Sequence, residues 1–279
     1  MLYARALHTS TLLSSGKVLV TGGVNNSNHY HDTTEFYDPS SQTWTMSGRM
    51  NYARAEHTAT VLTNGKILVI GGYNGTDALD NAEVYDLTTD RWTMTGRMSF
   101  PRFGHTASIL SNGKVLIVGG SNGTRFLRSA ELYDPIIGTW TNTSSMDVSR
   151  FDFTASVLTN GKVLIAVAGG FRSDYTNTAE LYDLSTETWT NTGSMHQAQA
   201  FHTASILRNG MILVAGGYGS SGVFSKHSEV YDPSTKTWTL ADSINHTRYQ
   251  HTTTVLINGQ VLMCGGATHD GFLNSTELY

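Results

Sequence analysis

A short apolar run that ends in two glycines recurs six times along the chain. In the second copy, an Asn-Gly-Lys turn precedes four apolar residues, 67–70, and Gly71 and Gly72 follow directly. A continuous apolar run of this length is typical of a β-strand that is covered on both faces. The glycine pairs stand at 22–23, 71–72, 119–120, 169–170, 216–217 and 265–266. Their steps of 49, 48, 50, 47 and 49 residues define a repeat.

Three further strands are predicted around each apolar run, and the second copy serves as the example. Residues 57–62 alternate small polar with apolar side chains, 83–86 form a third short segment, and 91–94 form a fourth. Asn64-Gly65 favours a type I′ hairpin turn, because both residues accept a positive φ. The glycine pair is expected to end the second strand and to admit a neighbouring backbone, because glycine has no Cβ. Each repeat therefore predicts a four-stranded antiparallel sheet.

The repeat length indicates how these sheets are arranged. A period near 50 residues with four strand-sized segments is typical of a β-propeller blade. A lone sheet would expose two apolar faces, so neighbouring sheets are expected to cover each other, with Tyr and Trp as the large fillers. We expect an all-β, six-bladed propeller that forms a single domain over residues 1–279. Its predicted repeats are approximately 1–49, 50–97, 98–146, 147–195, 196–243 and 244–279.

The copies differ at a few positions. The fourth has Phe153 where the others have histidine, and its apolar run carries one extra residue. The fifth has Gln199 where the others have arginine. The sixth reaches residue 279 without a fourth strand or its tryptophan, so blade six is expected to have three strands and an unpaired outer edge. A truncated fragment, or an edge that pairs with something else, would account for this pattern.

Composition narrows the classes of partner. The net charge is −4 and no Lys/Arg run occurs, which argues against a nucleic-acid partner. No apolar run approaches the roughly 18 residues of a membrane span, so no membrane partner is expected. The first residues lack a signal-peptide core and the chain has one cysteine, which favours the cytoplasm, although secretion stays open for a fragment. We expect a monomer unless the open edge of blade six pairs.

Residue types that every copy shares are expected to be structural. The histidines at 8, 57, 105, 202 and 251 fit hydrogen-bonded framework residues, and the blade-start arginines and third-strand glutamates fit buried or half-buried charge pairs. His29, His31 and Asp32 are interpreted as polar loop residues rather than a metal site. Cys264 is expected to be a small buried thiol. No catalytic residue, metal or cofactor is predicted, because no two carboxylates have the spacing of an acid–base pair.

The pattern Arg-X-X-His, Asn-Gly-Lys, Gly-Gly, Glu-X-Tyr-Asp and Trp resembles the kelch repeat over nearly the whole chain. This resemblance implies a kelch-type propeller with four antiparallel strands per blade, blade six lacking its outer strand. In the kelch domains of the Cullin-3 substrate adaptors, the residues after Gly-Gly and after the blade-start Arg line one mouth of the channel and hold partner peptides. Carried across, these positions imply a partner-binding set of Tyr73, Phe103, Phe151, Phe171, Tyr218, Tyr249, Glu56 and Asp152.

The expected function is non-enzymatic binding of a protein or peptide at this face, with aromatic anchors bordered by the loops 24–33 and 218–226. One alternative is that the aromatic residues only cap the blade ends. A second is carbohydrate binding by the same residues. A copper-radical enzyme like galactose oxidase, which also has a kelch propeller, needs a Tyr–Cys cross-link. It is disfavoured, because the one cysteine, Cys264, falls within an inner strand.

Overall fold

The computed structural model describes residues 1–169, 175–219 and 224–279. Over these residues the chain consists of β-strands, turns and loops, which confirms the all-β prediction. Within the same ranges, no helix has the length and apolar character needed to cross a bilayer. The chain divides into two compact units, Met1–Thr143 and Ser144–Tyr279, and each unit contains three of the predicted sheets.

The first unit contains three four-stranded antiparallel sheets, blades 1 to 3, and in each sheet neighbouring strands are consecutive in the chain. Blade 1 comprises β1 (Thr9–Leu12), β2 (Val18–Thr21), β3 (Thr34–Asp38) and β4 (Thr43–Met46). Blade 2 comprises β5 (Thr58–Val61), β6 (Ile67–Ile70), β7 (Ala82–Asp86) and β8 (Arg91–Met94). Blade 3 comprises β9 (Thr106–Ile109), β10 (Val115–Val118), β11 (Ala130–Asp134) and β12 (Thr139–Thr143).

The second unit contains blades 4 to 6 and two short two-stranded pairings. Blade 4 comprises β13 (Thr154–Val157), β14 (Val163–Gly169), β15 (Tyr175–Asp183) and β16 (Thr188–Thr192). Strand β17 (Gln199–Ala200) pairs with β20 (Tyr218–Gly219), and blade 5 comprises β18 (Thr203–Ile206), β19 (Ile212–Ala215), β21 (Ser228–Asp232) and β22 (Thr237–Ala241). Blade 6 comprises β23 (Thr252–Val255), β24 (Val261–Cys264) and β27 (Thr276–Leu278), while β25 (Ala267–Thr268) pairs with β26 (Gly271–Phe272).

The hydrophobic cores of the first unit lie between consecutive blades. All four residues of β6 are fully buried, as the apolar run predicts for a strand covered on both faces. Ile67 and Val69 pack in a cluster with Leu19 of blade 1, whereas Leu68 and Ile70 pack with Val115 of blade 3. The two faces of one strand therefore serve two different cores, because successive side chains of a strand point to opposite faces.

The predicted type I′ turn at Asn64-Gly65 is wrong. Only Gly65 of the pair has a positive φ, at 81°. The Gly65 N–H donates to the Leu62 carbonyl at 2.9 Å, and the Leu62 N–H donates to the Lys66 carbonyl at 2.8 Å. These bonds define a three-residue loop, a turn of right-handed backbone followed by a left-handed glycine. The Asn64 side chain accepts the Lys66 N–H at 3.1 Å, which satisfies asparagine in this turn without a positive φ.

The extra residue of the fourth repeat forms an irregularity within β14. The pairing of β14 with β15 shifts register between Ala166 and Ala168. The strand then continues to Gly169, which pairs with Tyr175. In blade 4 the second strand includes Gly169, the first glycine of its pair, whereas in blade 2 β6 ends at Ile70, directly before the pair. An inserted residue bends a strand and changes where its pairing stops, which explains the difference.

Blade 6 has three strands, as predicted, and β27 pairs with β24 alone among the described residues. The expectation that Cys264 is buried is wrong, because this thiol is only partly buried. The preceding blade shows the reason. A Cβ on Gly216 would strike the backbone of Arg248 in the next blade, but one on Gly265 would meet only the Leu273 carbonyl, at 3.5 Å. The end of β24 is therefore less closely covered than the end of β19.

Candidate functional site

In five of the six blades, a buried ion pair joins the blade-start arginine to the third-strand glutamate. The Arg54 Nη2 donates to Glu83 Oε1 at 2.7 Å, both side chains are fully buried, and Nη1 donates to the Gly71 carbonyl at 2.5 Å. Burial lowers the pKa of Arg54, while the Glu83 carboxylate opposes that shift. Four other blades repeat the pair, which confirms the predicted charge pairing: Arg5–Glu35, Arg102–Glu131, Arg150–Glu180 and Arg248–Glu277.

Blade 5 has Gln199 in place of the arginine of this pair, and its glutamate, Glu229, has a different partner. Gln199 is fully buried, and neither of its amide atoms has a hydrogen-bond partner among the described residues. Glu229 is also fully buried, and its Oε2 lies 2.8 Å from Nδ1 of His196. A carboxylate in this position needs a compensating donor, because an unpaired buried charge is costly. His196 supplies that donor from an exposed position at the blade start.

Four of the five repeated histidines are hydrogen-bonded framework residues, as predicted. His57 Nε2 lies 2.9 Å from Thr9 Oγ1, and its counterparts are His105 with Thr58, His202 with Thr154 and His251 with Thr203. Burial lowers the pKa of His105 to about 3 and that of His202 and His251 to about 4. His8 differs, because it has no side-chain hydrogen bond among the described residues. Each threonine partner belongs to the preceding blade, and blade 1 is the first blade of its unit.

The two sequence positions predicted to bind a partner are adjacent in space within a blade. Tyr73, which follows Gly-Gly, exchanges backbone hydrogen bonds of 2.8 and 2.9 Å with Ala55, which follows the blade-start arginine. Phe103 and Ser121 form the same bridge in blade 3. The structure thus brings these two positions together, as the resemblance implied.

Glu56 and Asp152 share an unusual backbone conformation that the sequence alone did not reveal. Their φ values are 53° and 50°, and the equivalent residues of the other blades are also left-handed: Leu7, Gly104, Phe201 and Gln250. The Glu56 N–H donates to the Leu7 carbonyl at 3.0 Å, and the Gly104 N–H donates to the Glu56 carbonyl at 3.1 Å. These bonds link successive blades of the first unit and hold a conformation that non-glycine residues rarely adopt. In the sequence, only Gly104, the equivalent residue of blade 3, indicated this left-handed backbone.

Three aromatic side chains meet beside Glu56 in the first unit. The Tyr30 and Tyr73 rings lie edge to face with centroids 5.7 Å apart, and the Tyr73 and Phe103 centroids are 5.4 Å apart. All three rings are half-buried. We call Tyr30, Glu56, Tyr73 and Phe103 the Tyr73 site. The repeat pattern did not indicate Tyr30, because the loop that carries it has no counterpart of equal length. Only the expectation that loop 24–33 borders the site pointed to this residue.

A depression of about 600 Å³ opens at the Tyr73 site. Its wall consists of two loops and one blade-start residue: Asn28, His29, Tyr30, Ala53, Tyr73, Asn74, Gly75 and Thr76. A Cβ on Gly75 would lie 2.8 Å from the Tyr30 ring, so the glycine allows the loop after β6 to press against that ring. The depression therefore has one aromatic side and one side of backbone and small polar groups.

Glu56 has no ion-pair or hydrogen-bond partner for its carboxylate among the residues that the structure describes. Burial raises its pKa. It lies close to Tyr30, whose pKa is raised first by burial and then by the neighbouring Tyr73 and Glu56. The Tyr73 site thus combines half-exposed aromatic rings with one carboxylate that is not neutralised.

The second unit has its own aromatic cluster. Phe224 stacks on Tyr249 with centroids 5.2 Å apart and an interplanar angle of 24°, and it meets Tyr218 edge to face. Phe201 meets Tyr249 edge to face, with ring centroids 6.2 Å apart. Tyr218 and Tyr249 are therefore brought together, and Phe224 is the member that the sequence comparison missed. Phe151 is half-buried at the start of blade 4, and Phe171 lies outside the described residues.

A second depression shows no sign of a binding site, and the cluster of His29, His31 and Asp32 shows no sign of a metal site. A depression of about 360 Å³ in the second unit is lined by turn residues and has no aromatic wall: Thr159, Asn160, Asn209, Gly210, Met211, Asp232, Pro233 and Ser234. In loop 24–33, the Asp32 carboxylate binds Arg49 at 2.9 Å, and His29 and His31 contact edge to face. Over the described ranges, no group of three or more His, Cys, Asp or Glu residues has the geometry to hold a metal ion.

Comparison with known protein families identifies the repeat of this chain. The pattern of the KLHDC2/KLHL20/DRC7 Kelch-repeats domain matches residues 7–216, and that of the Kelch motif matches residues 202–243. The chain belongs to the kelch-repeat family. Kelch propellers typically bind proteins, and the fold commonly serves as an interaction scaffold.

Among solved structures, the kelch chain is similar to the one titled "Structure of YjhT". The two share 15% sequence identity with a TM-score of 0.76, and the match covers 99% of this chain and 95% of that one. A likeness at this identity shows the fold alone. The fold is a six-bladed β-propeller of antiparallel sheets, as predicted. No curated protein matches the chain.

Proposed function

We propose that this kelch chain binds a protein or peptide, without catalysis, at the Tyr73 site of its first unit. The observation that carries the proposal is the depression of about 600 Å³ walled by Tyr30 and Tyr73. Half-exposed tyrosines supply a large contact area at low entropic cost and are frequent anchors of protein interfaces. Membership of a family whose propellers typically bind proteins supports the same conclusion.

The rigid support of the two tyrosines favours binding over simple capping. Tyr73 is held by backbone bonds to Ala55, and Tyr30 lies against Gly75. Rings fixed in this way lose little conformational freedom when a partner docks. In the second unit, Tyr218, Phe224 and Tyr249 also contact one another, with Phe224 stacked on Tyr249 at 5.2 Å, but the depression of about 600 Å³ lies at the Tyr73 site.

Carbohydrate binding is the second candidate, because amide and hydroxyl groups line the depression beside the aromatic rings. Asn74 uses its side-chain oxygen within its own loop, where it accepts N–H bonds from Thr76 at 2.9 Å and Asp77 at 2.7 Å. Fewer polar atoms thus remain for a sugar, and the peptide hypothesis is preferred. A glycan array probed with the intact chain separates the two, since the peptide hypothesis expects no glycan signal that depends on Tyr73.

The first prediction concerns the two tyrosines. Peptides selected from a displayed random library against the intact chain should bind at least tenfold more weakly to Tyr73→Ala and to Tyr30→Ala, because each variant removes one aromatic wall. Titration calorimetry measures the affinity, and thermal unfolding verifies that both variants fold.

Ile136→Ala is the matched control, because Ile136 is 91% exposed on the turn between β11 and β12. It should leave the affinity unchanged. If selected peptides bind both tyrosine variants as tightly as the wild-type chain, the assignment of the Tyr73 site is wrong.

A further inference from the structure

The Tyr73 site contains a negative charge that the protein itself does not neutralise. The Glu56 carboxylate is half-buried and has no cationic or hydrogen-bonding partner among the described residues, whereas the glutamates of the five blade-start ion pairs each bind a guanidinium group. A left-handed backbone, hydrogen-bonded to Leu7 and to Gly104, fixes the position of Glu56. The backbone therefore holds this carboxylate in place, and the residues of known position give it no partner.

The cations nearest in the chain are already used. The guanidinium of Arg5 is bound by Glu35 and that of Arg54 by Glu83, and all four of these side chains are fully buried. The wall of the depression contains neither lysine nor arginine. Loop 24–33 contains no lysine or arginine, and the nearby Arg49 is bound by the Asp32 carboxylate. A ligand that enters the depression thus meets Tyr30 and Tyr73, and the Glu56 carboxylate lies close to Tyr30.

Aromatic faces and a carboxylate together recognise positive charge. The face of a phenol ring carries negative electrostatic potential and attracts an ammonium or guanidinium group. Tyr30 and Tyr73 lie edge to face at 5.7 Å, so one ring presents its face where the other presents its edge. An acidic ligand would instead meet like charge at Glu56, which disfavours it.

We propose that the Tyr73 site selects its peptide through one basic side chain, whose charge pairs with Glu56 and whose stem packs on Tyr30 and Tyr73. The proposal rests on the proposed function and names the chemistry of the ligand. Arginine fits better than lysine, because its planar guanidinium can stack on a ring while it donates two parallel hydrogen bonds to a carboxylate.

The second prediction tests this pairing with a double-mutant cycle. For a displayed peptide whose binding depends on Tyr73, a set of variants is made. In each variant one basic residue is replaced, an arginine by citrulline or a lysine by norleucine. At one of these positions, the peptide with the neutral residue should bind at least tenfold more weakly than the unmodified peptide. Glu56→Gln should cause a loss of similar size, and the two changes together should cost no more than either alone, because they remove the same ion pair.

Two controls isolate Glu56. Asp77→Asn removes an exposed carboxylate from the loop after β6 and should leave the affinity nearly unchanged. Glu56→Gly introduces the residue that blade 3 has at the equivalent position, Gly104, and keeps the left-handed backbone. It should reproduce the effect of Glu56→Gln.

The possible results separate the two proposals. If Tyr73-dependent peptides carry no basic residue, or bind Glu56→Gln as tightly as wild type, the cation inference is wrong and the proposed function stands. If no selected peptide depends on Tyr73, both proposals are wrong.

Discussion

At the scale of single residues, the repeated histidines show how burial determines chemistry. His105 Nε2 lies 2.9 Å from Thr58 Oγ1, and burial, followed by the charges of Arg102 and Arg54, lowers the pKa of His105 to about 3. The ring is therefore neutral in the folded protein at physiological pH. Blade 4 has Phe153 at the same sequence position, which shows that the site in the repeat accepts a ring without a hydrogen-bonding atom.

The third prediction follows from this pKa. In the unfolded chain His105 has its ordinary pKa of 6.5, so the unfolded state binds a proton more readily than the folded state. The contribution of neutral His105 to the free energy of unfolding is fully present above pH 6.5 and is lost as the pH falls toward 3. Between neutral pH and pH about 4.5, the free energy of unfolding should fall by about 2 kcal/mol more in wild type than in His105→Phe. Urea titrations across this pH range measure the difference, and parallel profiles would contradict it.

The residue-scale predictions succeeded where a feature recurs in most repeats. The arginine–glutamate pairs could be predicted because both residues keep their positions in five blades. The consequence of Gln199 could not, because the replacement donor, His196, stands at a position where other blades have different residue types. Nor could the left-handed backbone at Glu56, because its hydrogen bonds come from neighbouring blades and not from its own segment.

At the scale of elements, two loops with the same Asn-Gly-Thr sequence have different surroundings. In both loops the asparagine oxygen accepts the N–H of the threonine, at 2.9 Å for Asn74 and 3.1 Å for Asn122. Both glycines have a positive φ, 99° for Gly75 and 90° for Gly123. A Cβ on Gly75 would strike the Tyr30 ring, but one on Gly123 would meet nothing within 4 Å. The pair thus offers a matched comparison.

The fourth prediction uses that comparison. Gly75→Ala and Gly123→Ala should each destabilise the chain by about 1 kcal/mol, because both place a Cβ on a left-handed backbone. Only Gly75→Ala should also weaken a Tyr73-dependent peptide severalfold, because it displaces Tyr30. Thermal unfolding and calorimetric titration measure the two effects. Equal affinities of both variants would show that the position of Tyr30 does not matter for binding.

The elements themselves were largely predictable, whereas their irregularities were not. Alternation and apolar runs place β6 and β8 at the predicted residues, because strand formation here follows from side-chain burial. The loop at Asn64 and the extended β14 differ from expectation, since turn geometry and bulges depend on local backbone bonds that several sequences can satisfy.

At the scale of the whole molecule, each unit is built from sheets that cover their neighbours. One cluster joins blades 1 and 2, one joins blades 2 and 3, one joins blades 4 and 5, and another joins blades 5 and 6. This organisation follows from a repeat that cannot bury both of its faces alone. That the two units form a single domain over residues 1–279, as the repeat suggests, stays a prediction.

The site was predictable only in outline. The resemblance to the kelch repeat indicated a pair of sequence positions, and the structure shows that they are adjacent; their role in binding stays a prediction. It could not show which aromatic residues meet, because Tyr30 and Phe224 lie in loops of unequal length. Nor could it show that Glu56 has no partner within the described part of the chain, which depends on the positions of the surrounding charges.

Hydrogen–deuterium exchange of the intact chain, with and without a selected peptide, tests the central claim most directly. The account predicts slower exchange at residues 28–30 and 73–76 when the peptide is bound, because these residues form the walls of the depression at the Tyr73 site. Protection confined to the turns around Asn160, Asn209 and Asp232, with no change at the Tyr73 site, would contradict it.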